Sequence, residues 1–175
     1  MDPKDRLPAE WPDLDVEEML RRFVAAGVDF VVVGGVAMIL LGSSRLTRDL
    51  DIVFATDDAN LESLGNVLVG LNARLREIPE EVPFVPDERT LANVDLLTLD
   101  TSAGWLDAHR RLDGAPAYET LRKRAERHNI GDFSVLVASP DDMVAMKEAA
   151  GRPVDLADLE ELKAIKRLRK KLDRR

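Results

Sequence analysis

The sequence predicts an α+β fold, on three observations. A β-branched, almost uninterrupted apolar run, Val28 to Val33, stops at Gly34-Gly35. A second strand-like run, Leu50 to Phe54, begins at the acidic triplet Asp49-Leu50-Asp51. Segments with helical spacing of apolar residues lie before, between and after these runs.

Taken in order, Asp15 to Ala26 puts Val16, Met19, Leu20 and Phe23 on one stripe, with an acidic start and Gly27 past its end, which predicts an amphipathic helix. Val28 to Val33 reads as a strand buried on both faces. Val36 to Leu41 fits a short buried helix closed by Gly42. After the Leu50 to Phe54 strand, Asp57-Asp58 cap a helix to about Leu71, with Leu61, Leu64, Leu68 and Leu71 inward. Ala73 to Ile78 is a candidate strand, followed by a loop or edge carrying Pro79, Pro83 and Pro86. Leu91 to Leu99 reads as a strand with a lone acid, Asp95, inside it. Beyond Trp105 come a helical stretch, Tyr118 to Arg127, a strand, Phe133 to Ala138, and a helix opened by Ser139-Pro140 and ended by Gly151-Arg152-Pro153. A last helix runs from about Asp155 into a basic end. One domain is expected over 1–175, with a core at about 13–112 and a mostly helical C-terminal part, 113–175, holding one added strand.

Composition excludes several classes of chemistry. With no cysteine among 175 residues, disulfides, thiolate metal sites and cysteine nucleophiles are ruled out. The longest apolar run, Phe30 to Leu41, is shorter than the roughly 20 residues of a membrane span, and the acidic N-terminal stretch lacks the pattern of a secretory signal. A cytoplasmic location without membrane contact is the expectation. The net charge of −8 is uneven: Lys163 to Arg175 carries eight bases and one acid, against 17 bases and 32 acids elsewhere. That +7 end has two readings, a surface that neutralises phosphates of RNA and a solvated helix end complementing the macrodipole. His109 and His128 show no partner pattern and are expected at the surface, and Trp11 and Trp105 are expected to pack.

Chemistry concentrates between Val31 and Val53. Two residues apart on a strand, Asp49 and Asp51 project from one face while Leu50 and Ile52 enter the core. Carboxylates that close repel unless a divalent cation lies between them, and an oxygen-only donor set favours Mg²⁺ or Mn²⁺. Asp95, from a neighbouring strand, is the expected third member. Gly34 and Gly35 allow backbone to approach closely, with helix N–H groups behind them facing a phosphate.

Together these features resemble the nucleotidyltransferase superfamily related to DNA polymerase β, with its glycine turn, D-x-D strand and later third acid. The small bacterial members are most similar, AbiEii-like toxins and minimal nucleotidyltransferases of toxin–antitoxin modules. The shared runs are Arg45-Leu46-Thr47-Arg48-Asp49-Leu50-Asp51 and Lys147, Gly151, Arg152, Asp155 and Asp158. The resemblance implies a nucleotidyltransferase-like mixed sheet flanked by helices, with a helical C-terminal extension. It implies transfer of a nucleoside monophosphate from a nucleoside triphosphate to an RNA 3′ end, such as that of tRNA, or to a protein hydroxyl, beside a cognate toxin or antitoxin. Asp49, Asp51 and Asp95 would be the catalytic and metal-holding residues. Gly34, Gly35, Ser43, Ser44, Arg45 and Lys147 would bind the nucleotide. A helix-loop-helix joint bridged by Arg152 is the other reading of Lys147 to Asp158. Val36, standing where many members have Ser or Thr, keeps open a non-catalytic, nucleotide- or partner-binding member of antitoxin type.

Overall fold

The computed structural model describes residues 13–79 and 81–174, so Trp11 and Arg175 lie outside the described residues. Helix α1 (Val16–Ala25) starts at Asp15, whose carboxylate accepts from Glu18 N at 3.0 Å, and buries Met19, Leu20 and Phe23. It delivers the chain to β1 (Phe30–Val33), buried at every position. Next come α2 (Gly34–Leu40), β2 (Asp49–Phe54) and α3 (Asp58–Gly70), capped by Asp57. The segment that follows departs from expectation. Only Arg74–Leu75 forms a strand, β3, and Glu88–Asn93 is a helix, α4. Asp87 caps α4 by accepting from Thr90 N at 2.8 Å, and Leu91 is its buried anchor. A local cap and one apolar contact thus overrule the strand reading of Leu91 to Val94.

β4 (Leu96–Thr101) and β5 (Gly104–His109) then form a tight hairpin, and β5 carries no expectation from the sequence. Helix α5 (Tyr118–Arg124) stops before β6 (Glu126–Ile130), a second strand beyond residue 113, which pairs with β7 (Phe133–Val137). Helices α6 (Pro140–Ala150) and α7 (Pro153–Leu172) complete the chain. The seven strands make one mixed sheet, ordered β3-β4-β5-β2-β1-β7-β6. In it β2 runs antiparallel to β1 and parallel to β5. No helix among the described residues is long and apolar enough to cross a membrane.

Alternation along β2 sends Leu50 and Ile52 into a core that excludes solvent from both, leaving Asp49 and Asp51 on the opposite face. Helices α6 and α7 are locked together near that face by buried charge. Lys147 Nζ lies 3.1 Å from Asp155 and 2.8 Å from Asp158, and Asp158 also takes Arg45 from the α2–β2 loop. Burial pushes the Asp155 carboxyl up, but hydrogen bonds from Arg152 and Lys147 outweigh it and bring it down to about 2. Lys147 lies between two buried acids, and its removal leaves Asp155 to Arg152 and Asp158 to Arg45 with no cation shared between them. Lys147→Met is therefore expected to cost about 3–5 kcal/mol in chemical denaturation. A loss below about 1 kcal/mol would mean that the joint is not held by this charge.

Candidate active site

The glycine turn and the acidic strand are fitted to each other. Gly34 adopts φ +66°, and a Cβ there would overlap the Asp51 carboxylate. A Cβ on Gly35 would overlap Thr47. The start of α2 thus reaches the acids only because both residues lack side chains. Val36, by contrast, sits in the core and does not border the cleft, so its missing hydroxyl faces apolar neighbours.

Parallel pairing of β2 with β5 sets Asp51 directly opposite Asp107, and Asp49 opposite Trp105. Three carboxylates therefore share one face of two adjacent strands. Burial first, then the charge of Asp51, pushes Asp107 up to about 6 against the pull of Arg76. The same two causes raise Asp49, partly offset by a hydrogen bond from Thr47. Each acid has its own neighbour. Thr47 Oγ1 donates to Asp49 at 3.3 Å, His109 Nε2 lies 3.1 Å from Asp51 Oδ1, and Arg76 Nη2 donates to Asp107 at 3.1 Å. Arg76 also stacks over the Trp105 ring, 4.6 Å from its centroid. Among the described residues, no group of three or more His, Asp or Glu side chains is already arranged to hold a metal ion.

A cleft of about 630 Å³ opens over these acids, walled on the far side by Met143, Met146, Lys147 and Arg152. Arg152 is two-thirds exposed while bound to Asp155 at 2.8 Å; that hydrogen bond raises its pKa, with smaller contributions from the fields of Asp51 and Asp49. It is a solvent-facing cation of the cleft wall opposite the acid pair.

The structure brings Gly34, Gly35, Asp49 and Asp51 together as expected, and sets other candidates apart. Asp95 immediately precedes β4, one residue out of phase with Leu96, which pairs with His109. Its side chain therefore faces away from the acid pair, is 59% exposed and binds Arg110. Asp107 occupies the place foreseen for it. Lys147 borders the cleft but is held by Asp155 and Asp158, and Arg45 is held by Asp158. Ser43 accepts from Arg45 N at 3.1 Å, and neither Ser43 nor Ser44 borders the cleft. His109, expected at the surface, is 7% exposed inside the site. A Trp-x-Asp-x-His alternation at Trp105, Asp107 and His109 is the signal that would have found both residues. Trp105 packs, as expected, against Arg76. In the basic end, Lys163 pairs with Glu160, Lys166 with Asp141 and Arg169 with Glu126.

A mixed sheet with an Asp-x-Asp strand, a third carboxylate alongside and a glycine turn against them defines a nucleotidyltransferase fold. The family model described as nucleotidyl transferase AbiEii toxin, type IV toxin–antitoxin system, matches residues 18–162, and the chain belongs to that family. No curated protein sequence matches it. Among solved structures it is similar to the lincosamide antibiotic adenylyltransferase LnuA with lincomycin bound. That pair shares 19% identity over 87% of this chain and 99% of the other, at TM-score 0.58. It is also similar to ANT(2″)-Ia in complex with adenylyl-2″-tobramycin, with 14% identity, 86% and 91% coverage and TM-score 0.53. These likenesses are of fold.

The raised Asp107 gives a stability signature with a defined sign. Its folded pKa of about 6 exceeds the unfolded 3.8, so the native state holds the proton more tightly and loses stability as pH rises through that window. Asp107→Asn, measured by denaturation in chelator, is expected to be more stable than the parent at pH 7.5 by about 1–3 kcal/mol, two pKa units setting the upper end. The gain should vanish near pH 4. Equal stability at both pH values would refute the crowding.

Proposed function

We propose that this protein is a divalent-cation-dependent nucleotidyltransferase that moves a nucleoside monophosphate from a nucleoside triphosphate to a hydroxyl of a macromolecule, an RNA 3′ end in the first instance. The observation that carries this reading is the face shared by Asp49, Asp51 and Asp107, with Asp107 raised to about 6. Three oxygen-donor side chains that crowd one another suit a hard divalent cation such as Mg²⁺ or Mn²⁺. Asp49, Asp51 and Asp107 would hold it. When bound, it supplies charge neutralisation for the triphosphate and the leaving group.

The chain's own residues supply the remaining steps. The Gly34-Gly35 turn admits phosphate oxygens beside Asp51, and Arg152 meets the triphosphate from the opposite wall. The acceptor oxygen attacks the α-phosphorus in line, an O–P bond forms, and the bond to the β-phosphate oxygen breaks to release pyrophosphate. Asp107, the acid on the neighbouring strand, takes the hydroxyl proton. Exposed Arg167, Lys170 and Lys171 on the end of α7, with Arg174 just past it, suit an RNA backbone. Membership of the AbiEii family supports work beside a cognate antitoxin.

Incubation with labelled nucleoside triphosphates, Mg²⁺, total RNA and cell lysate tests the proposal. Label is expected in RNA, and to fall at least about 100-fold in Asp51→Asn and Asp107→Asn while Asp95→Asn keeps it. Label in protein instead would reassign the acceptor. Label reaching no acceptor, or transfer surviving in Asp107→Asn, would refute the reading.

A further inference from the structure

His109 is a buried ionisable group of the cleft with no step in the proposed reaction. It ends β5, opposite Val53 of β2 and Leu96 of β4, on the same strand face as Asp107. Its Nε2 lies 3.1 Å from Asp51 Oδ1, in a side chain 9% exposed. Asp51's other oxygen, Oδ2, is the atom that a Cβ on Gly34 would strike. Asp51 is thus bracketed, with an imidazole at one oxygen and the glycine turn at the other. With a carboxylate oxygen as the acceptor, this contact calls for the tautomer in which the imidazole nitrogen facing Asp51 is the donor.

We infer that His109 is a positioning residue for Asp51: its Nε2–H holds Oδ1, fixing the carboxylate so that Oδ2 is presented beside the Gly34 turn to a divalent cation. The inference rests on the cation-binding reading of the three acids. Three features of the site support it. Asp51 crowds Asp107 across the sheet, so without a donor at Oδ1 its carboxylate is free to swing away from its neighbour. The donor comes from the strand that carries Asp107, so one strand sets both acids. Burial restricts the ring to this contact, as is typical of groups that orient a metal-binding carboxylate from behind.

The measurement is Mn²⁺ affinity of the full chain, read from loss of the free-ion EPR signal. His109→Phe keeps the ring volume and removes the donor, and His109→Gln restores an N–H at nearly the same reach. His109→Phe is expected to weaken Mn²⁺ binding about 10–100-fold. His109→Gln should return it to within about threefold of the parent. Both variants are checked for an intact fold by near-ultraviolet circular dichroism. Unchanged affinity in folded His109→Phe would overturn the inference. So would a folded His109→Gln as weak as His109→Phe, because volume rather than the hydrogen bond would then matter. A directly coordinated imidazole nitrogen in the pulsed EPR spectrum of the Mn²⁺ complex would also overturn it, by making His109 a ligand. Mn²⁺ binding that ignores Asp51→Asn, or no binding to the parent, would instead remove the cation reading, and the inference with it.

Discussion

Mutual repulsion of three carboxylates on one face of β2 and β5 is the constraint around which the rest of the site is built. Pairing in register sets Asp51 against Asp107, and strand alternation adds Asp49 two residues away. Left alone, such a face is a liability, and two of its members are pushed toward protonation. The surrounding sequence answers each charge with a different device: a threonine for Asp49, an imidazole for Asp51, a guanidinium stacked on Trp105 for Asp107. None of these cancels the charge of the face as a whole. A cluster kept anionic inside a cleft, with bare glycine backbone against it, is suited to receive a cation and a polyphosphate together.

The helical wall opposite depends on a second set of charges that is fully paired. Lys147, Asp155, Asp158 and Arg45 satisfy one another between α6, α7 and the α2–β2 loop. Their energy goes into holding the wall at a fixed distance from the acids. Arg152, which also pairs with Asp155, is turned to solvent across the cleft. The basic residues of this wall thus include buried ones that fix geometry and, in Arg152, one that also faces the cleft. The basic end of α7 follows the same division, with Lys166 and Arg169 tying the helix to its neighbours.

How far the sequence revealed this arrangement varied with the kind of signal. The Asp49-Leu50-Asp51 triplet and the Gly34-Gly35 pair were legible because strand period and glycine freedom are local properties. The third acid was not, because its place depends on strand register. Asp95 stood out as a lone acid in an apolar run, yet α4 takes the first part of that run and leaves Asp95 one residue out of phase, and one residue is enough to reverse the face. Asp107 and His109 lie in a strand that starts directly after the two-residue turn Ser102-Ala103, where pairing with β2 rather than local periodicity decides the structure. Lys147 and Arg45 were expected to bind the nucleotide and do border the cleft, but both are held by carboxylates, because whether a cation meets a ligand or an acid is settled by packing between segments distant in sequence.

The central claim is that the acidic face and a nucleoside triphosphate are joined by a divalent cation. Calorimetric titration of a non-hydrolysable nucleoside triphosphate, with Mg²⁺ and again in chelator, measures that linkage most directly. The account predicts binding at least about tenfold tighter with Mg²⁺ in the parent, and no such difference in Asp51→Asn. Equal affinity in Mg²⁺ and in chelator for the parent protein would contradict it.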